Sequence, residues 1–172
     1  MALYDEILSA NQLFANAFDR SQLPMPPGRK LAVLACMDAR LNLYEALGLR
    51  TGDAHLISNA GGLATEDAIR SLIISHHLLG TREFLVVNHT DCGMLTFRDD
   101  ELRARLARDS GADASGLSFH AFTDLEENVR RQVRAIRESP FLPREIPIRG
   151  LIYDVRTGLL HEAAADAASE AA

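Results

Sequence analysis

The chain has 172 residues, which suits one domain that buries about 70% of the surface its unfolded form exposes, so no disulfide is needed to hold a core. With 47% apolar residues, 24% charged residues and a net charge of −6, it reads as an ordinary acidic globular protein, which argues against nucleic acid as a partner. No apolar run approaches the ~20 residues of a membrane helix, and the opening MALYDEILSANQLF carries acids where a signal peptide carries bases. The expected location is therefore cytoplasmic, with no membrane partner.

In chain order, Leu3, Ile7, Phe14 and Phe18 fall on one helical stripe, with Leu8 and Leu13 at its margins. This predicts an amphipathic helix that needs a partner surface. Residues 1–22 are read as a helical arm and 23–29 as a linker, because the prolines of LPMPPG fix φ and remove donors. The core spans residues 30–162. Its runs LAVLA (31–35), HLIS (55–58) and EFLVVN (83–88) have the pattern of strands buried on both faces. Between them, NLYEALGL (42–49) predicts a short helix closed by Gly48. TEDAIRSLIISHHLLG (65–80) predicts a longer one, with a Thr cap, acids in its first turn and a stop at Gly80. Strands alternating with helices imply parallel βαβ units.

Further on, RDDELRARLARD reads as a helix and SGADASGLS as a polar loop. A helix is expected over about 123–138, from Leu125, Val129, Val133 and Ile136 at helical spacing. IRGLIYDV (148–155), the turn Arg156-Thr157-Gly158 and LLHE predict a strand with a hairpin return. The tail AAADAASEAA (163–172) is low in complexity and is expected to fray. The sequence thus predicts a single α/β domain over 1–162, with a central, mostly parallel sheet flanked by helices.

Two of the apolar strands end in groups that resist burial. LAVLA runs into Cys36-Met37-Asp38-Ala39-Arg40, and FLVVN into His89-Thr90-Asp91-Cys92-Gly93. An unpaired charge in an apolar interior costs several kcal/mol, so these groups must face one another, a metal or water. Sites in open parallel sheets form at the carboxyl ends of strands, which lets Cys36, His89 and Cys92 converge. Cys36 and Cys92 are the only cysteines, and in a reducing compartment metal binding or catalysis is expected over a disulfide. Two thiolates and an imidazole form a zinc set, although cobalt or iron suits the same donors. Three protein ligands with an open position mark a catalytic site. The plain alternative, two buried small residues and a satisfied core histidine, leaves Asp38 and Arg40 unexplained.

Zinc with two thiolates and a neutral imidazole is formally neutral and acidifies a bound water less than an all-histidine site would. Asp38 is therefore read as the acceptor that orients a zinc-bound hydroxide, with Arg40 holding it ionised and off the metal. Released from Arg40, Asp38 could become a fourth ligand and close the site. Asn59-Ala60-Gly61-Gly62 and Gly93 offer tight turns whose N–H groups could line the same edge, so Asn59, Gly61, Gly62 and Gly93 are candidate cleft residues. Gly93 is read as letting the chain turn sharply behind Cys92. Asp91 reads either as a partner of the site or as a helix cap. His55, His76, His77, His120 and His161 read as packing or solvated residues.

CMDAR followed by HTDCGM, with NAGG between them, resembles the β-class carbonic anhydrases, and the likeness runs from about residue 30 to 160. The resemblance implies that Cys36, His89 and Cys92 ligate Zn2+ and that Asp38 with Arg40 gates and orients the fourth position. It also implies homodimers or larger homo-oligomers, with active clefts at subunit interfaces and the N-terminal helix packing on the partner. The chain is similar to the short form of the family. It lacks a match for the cleft glutamine of plant-type members and has Ser58 where many carry arginine.

The leading expectation is a zinc lyase that hydrates carbon dioxide to bicarbonate and a proton. The same scaffold admits a hydrolase of carbonyl sulfide or carbon disulfide, since all three gases are small linear electrophiles. A non-enzymatic binding module or bicarbonate sensor, with Asp38 permanently in the open position, is a third reading. No strand runs into a glycine-rich nucleotide-binding motif.

Overall fold

The computed structural model describes residues 2–163. Eleven segments follow in order: α1 (Leu3–Asn16), β1 (Leu31–Cys36), α2 (Leu43–Ala46), β2 (Ala54–Asn59), α3 (Glu66–His77), β3 (Glu83–His89), a short 3-10 helix (Gly93–Leu95), α4 (Asp99–Ser110), α5 (Leu125–Arg137), β4 (Ile148–Tyr153) and β5 (Leu160–Glu162). They match the expected alternation. The reading of 163–172 as a frayed tail falls, beyond Ala163, outside the described residues. Among the described residues no helix is long and apolar enough to cross a membrane.

The strands form one sheet in the order β2-β1-β3-β4-β5, parallel except for the antiparallel β4–β5 hairpin. Alternation along the strands gives the sheet two different faces. Ala32, Leu34, Phe84, Val86, Ile148 and Ile152 meet Ala68 and Leu72 of α3 and Val129 and Ile136 of α5 in the main core. Gly150 lets α5 lie close to β4, because a Cβ there would run into the Val129 side chain. On the opposite face Val33, Ala35 and Val87 are covered by Leu41, Leu43 and Leu47, while Leu56, Leu85, Leu151, Tyr153 and Leu160 stay only partly buried.

Local chemistry sets the helix ends. Thr65 caps α3 by accepting the Ala68 N–H, and Asp124 caps α5 by accepting that of Glu127. Acids occupy both first turns, and His76, His77, Arg134 and Arg137 the last turns, matching the helix dipole. β4 stops at Tyr153, two residues before its expected end, because Asp154 Oδ1 takes the N–H groups of Arg156 and Thr157 and starts the turn.

Two elements depart from expectation. β2, read as buried on both faces, is one of the sheet's two edge strands and is mostly half-buried, since only β1 pairs with it. α1 forms as its stripe predicts but buries none of its residues. Leu3, Ile7, Leu13, Phe14 and Phe18 are each at least 50% exposed.

Candidate metal centre

Following β1 the chain goes to β2 on one side, and from β2 it returns to β3 on the other side of β1. The segments leaving β1 and β3 therefore diverge and open a crevice between adjacent carboxyl ends, the switch point at which α/β sheets bind ligands. Cys36 closes β1 and His89 closes β3. Cys92 lies just beyond β3, at the head of the 3-10 helix.

The three donor atoms of Cys36, His89 and Cys92 lie within 4.8 Å of one another. All three residues are buried, at 7%, 0% and 3% exposure. The sulfurs are 4.0 Å apart, far too distant for a disulfide. Two thiolates at ~2.3 Å from a tetrahedral ion would stand about 3.8 Å apart, close to that separation. His89 Nδ1–H donates to the Thr90 carbonyl at 2.9 Å, which fixes the tautomer and leaves the Nε2 lone pair facing the thiols. Nε2 is the one buried side-chain nitrogen or oxygen among the described residues without a hydrogen-bond partner. A buried polar atom in that condition calls for a ligand, and two thiols beside it specify a thiophilic cation such as zinc. The residues present fit the metal.

Electrostatics within the cluster are asymmetric. Burial pushes the Cys36 thiol up, but the facing His89 and the N–H groups of Gly61 and Asp38 outweigh it, and the net shift is downward. His89 moves the other way: burial lowers it, but Cys36 and then the Thr90 carbonyl raise it further. Cys92 is pushed up to about 11 by burial, opposed by the Met94 N–H and reinforced by Cys36.

Asp38 stands at the solvent side, its side chain 19% exposed and its Oδ2 3.6 Å from His89 Nε2. Arg40 grips it with a fork, Nε to Oδ1 at 2.9 Å and Nη2 to Oδ2 at 2.8 Å, while the Arg40 backbone N–H adds a bond to Oδ1. The guanidinium holds the Asp38 carboxyl well below the usual carboxylate range. Arg40 is itself held from behind, Nη1 donating to Asp91 Oδ2 and Nη2 to the Asp91 carbonyl. Of the two readings of Asp91, the structure shows the partner. The chain turns behind Cys92 at Gly93 as expected, the Leu95 N–H donating to the Cys92 carbonyl at 3.0 Å across the 3-10 helix, and just ahead of Cys92 Asp91 takes a left-handed φ of 57°.

The turn after β2 reaches the same edge. Gly61 directs its N–H at Cys36. Gly62 needs to be glycine, because φ is +61° and a Cβ would lie 2.8 Å from the Cys36 nitrogen. The Asn59 side chain does not enter the cleft: its Oδ1 accepts the Leu63 N–H and its Nδ2 donates to the Leu63 carbonyl, both at 2.7 Å. Leu63, Met94 and Phe122 pack against the two cysteines as an apolar wall. Phe122 arrives by way of the loop the sequence left unread. Asp99 takes the N–H groups of Phe119, His120 and Ala121 at 2.8, 3.1 and 2.9 Å, pinning that loop to α4. One acid among three in the first turn of a charged helix gave no signal of that duty.

A mostly parallel α/β sheet with a Cys-His-Cys cluster and an Asp-Arg pair at its switch point defines a class of metal-centre protein. The comparisons narrow it. The carbonic anhydrase family profile matches residues 31–160. The chain is 44% identical over 162 residues to beta-carbonic anhydrase 1 of Mycobacterium tuberculosis, covering 94% of this chain and 98% of that protein. It is 37% identical over 161 residues to a carbon disulfide hydrolase of Acidithiobacillus thiooxidans, covering 82% of this chain and 80% of that protein. The crystal structure of the carbonic anhydrase of Streptococcus mutans superposes with a TM-score of 0.91 at 44% identity, over 95% of this chain and 99% of that one. The chain belongs to the β-carbonic anhydrase family.

Proposed function

We propose that the protein is a zinc-dependent carbonic anhydrase, a lyase that interconverts carbon dioxide and bicarbonate with release of a proton. The observation that carries this reading is the unpartnered, fully buried His89 Nε2 facing two thiols, with the Asp38–Arg40 pair at the open side. Cys36, His89 and Cys92 would hold the zinc. Bound there, the metal supplies Lewis acidity that activates water for addition to an electrophilic carbon.

The chain's own residues do the rest. Asp38, kept ionised by Arg40, presents Oδ2 toward the cluster as a fixed acceptor that orients the reacting water. Arg40 engages both oxygens of that carboxylate and so competes with the metal for them, and Asp91 keeps Arg40 in place. N–H groups of Gly61 and Asp38 at Cys36, and of Met94 at Cys92, stabilise the thiolate forms. Leu63, Met94 and Phe122 give a small gas an apolar approach. Residues 30–162 form the metal-binding unit and 1–22 an arm, with the exposed stripe of α1 and the half-open sheet face covered by a second copy in a homo-oligomer.

Stopped-flow measurement of carbon dioxide hydration by zinc-replete protein at about pH 8.5 tests the reading, with rapid turnover expected. The apolar wall and the likeness to a carbon disulfide hydrolase favour one second reading, hydrolysis of carbon disulfide or carbonyl sulfide. Negligible hydration together with release of hydrogen sulfide from either gas would replace the first reading with the second.

A further inference from the structure

Half of the buried face of α5 is polar. Asn128 and Gln132 are as inaccessible as their neighbours Val129 and Ile136, at 1% and 6% exposure. Buried amides are costly unless every donor and acceptor is matched. Here they are matched through a directed ring. The Ala64 N–H, which can only donate, gives to Gln132 Oε1 at 2.9 Å. Gln132 Nε2 donates to Asn128 Oδ1 at 2.8 Å, where Arg131 Nη2 also donates at 2.8 Å. Asn128 Nδ2 then donates to Asn88 Oδ1 at 2.6 Å, and Asn88 Nδ2 to the Gly62 carbonyl at 3.4 Å. A fixed donor at one end and a fixed acceptor at the other set the orientation of all three amides.

The ring starts and finishes on one turn. Ala64 N–H and Gly62 C=O are its ends, and the Asn59 side chain holds the N–H and C=O of Leu63 between them. Four consecutive backbone groups are thus gripped by side-chain amides. The next N–H back, that of Gly62, donates to the Asn59 carbonyl at 3.2 Å, and the Gly62 backbone lies so close to Cys36 that a Cβ there would sit 2.8 Å from the Cys36 nitrogen. An apolar pair on α5 would fill the same volume but leave the Ala64 N–H and Asn88 Oδ1 without partners, so the ring serves the turn rather than space-filling.

We propose that Asn128 and Gln132 are positioning residues of the metal centre, acting through Asn88 and the 62–64 turn to hold the turn's backbone against Cys36 and so fix the place of its sulfur. The inference rests on Cys36, His89 and Cys92 holding zinc. Partners that orient a metal's ligands are typically worth roughly 10- to 100-fold in metal affinity. Gln132→Met keeps the shape of the side chain and removes the acceptor of the Ala64 N–H. Ile136→Val, one turn along the same helix, thins the core without touching the ring.

Zinc affinity is measured on the folded proteins by competition with a chromophoric chelator, and the thiolate-to-metal charge-transfer band is recorded after cobalt substitution. Gln132→Met is expected to bind zinc roughly 10- to 100-fold more weakly and to shift the cobalt band, with Ile136→Val unchanged in both. Gln132→Met with zinc affinity within about twofold of the parent and an unmoved band would overturn the proposal and reduce the ring to core structure. If Gln132→Met fails to fold, Gln132→Glu, which retains an acceptor for Ala64 but not the amide donor, is read by the same two measurements. A parent protein that holds no zinc against the chelator would sink the metal reading itself, a result distinct from a parent and variant that bind alike.

Discussion

Cys36 and Cys92 share a pocket yet are driven in opposite directions, the first toward thiolate by His89 and two N–H groups, the second up to about 11 by burial. At neutral pH Cys92 therefore keeps its proton, and metal binding must expel it. Calorimetric titration of zinc in buffers of different ionisation enthalpy is expected to show about one proton or more released, with affinity climbing as pH rises toward the Cys92 value. Release near zero would mean that the thiols are not ligands. The Asp38–Arg40 pair behaves differently. A depressed carboxylate stabilises the fold above its ordinary range near pH 4 and loses that effect only as pH falls below it, so the pair stays formed from pH 5 to 9. Asp38→Ala should keep its zinc and lose turnover on the order of 100-fold, because the reacting water loses its orienting acceptor. Full turnover in that variant would leave the pair a structural ion pair. These residues were legible because charge at the end of an apolar strand has no cheap explanation. Asn128 and Gln132 were not, since polar residues in an amphipathic helix read as its wet side, and only the fold shows them facing inward.

Among the elements, α1 poses the clearest problem of partnership. A helix of 14 residues is marginal in water on its own, and α1 buries none of its side chains within the chain. Covering Leu3, Ile7, Phe14 and Phe18 would contribute roughly 1.5–3 kcal/mol for each side chain buried. The double variant Ile7→Asp, Phe14→Asp is expected to shift light-scattering mass toward the monomer and to lower the melting temperature. An unchanged mass would separate α1 from assembly. The 3.6-residue period gave this helix away in the sequence, as the caps gave α3. β2 was harder to place, because a short apolar run looks the same at the rim of a sheet as at its centre, and strand order depends on pairings no local pattern encodes. The loop before Phe122 was opaque for a related reason: its conformation is held by Asp99, some twenty residues away in the chain.

At the scale of the molecule, the parallel α/β architecture followed from strands alternating with helices, and the convergence of two motifs 53 residues apart, from Cys36 to His89, followed from β1 and β3 being neighbours. What the sequence could not supply was the one-sidedness of the sheet, with α3 and α5 both on one face. All three metal donors and the Asp-Arg pair come from a single chain. Damage is therefore not shared between copies. In oligomers assembled from parent and Cys36→Ser chains, zinc content should fall in simple proportion to the fraction of altered chains, and a steeper fall would show that one copy's ligands depend on its neighbour. Genetically, under the proposed metal reading and assembly, a lesion at this centre would be recessive, because an intact chain paired with a broken one would keep its own three donors.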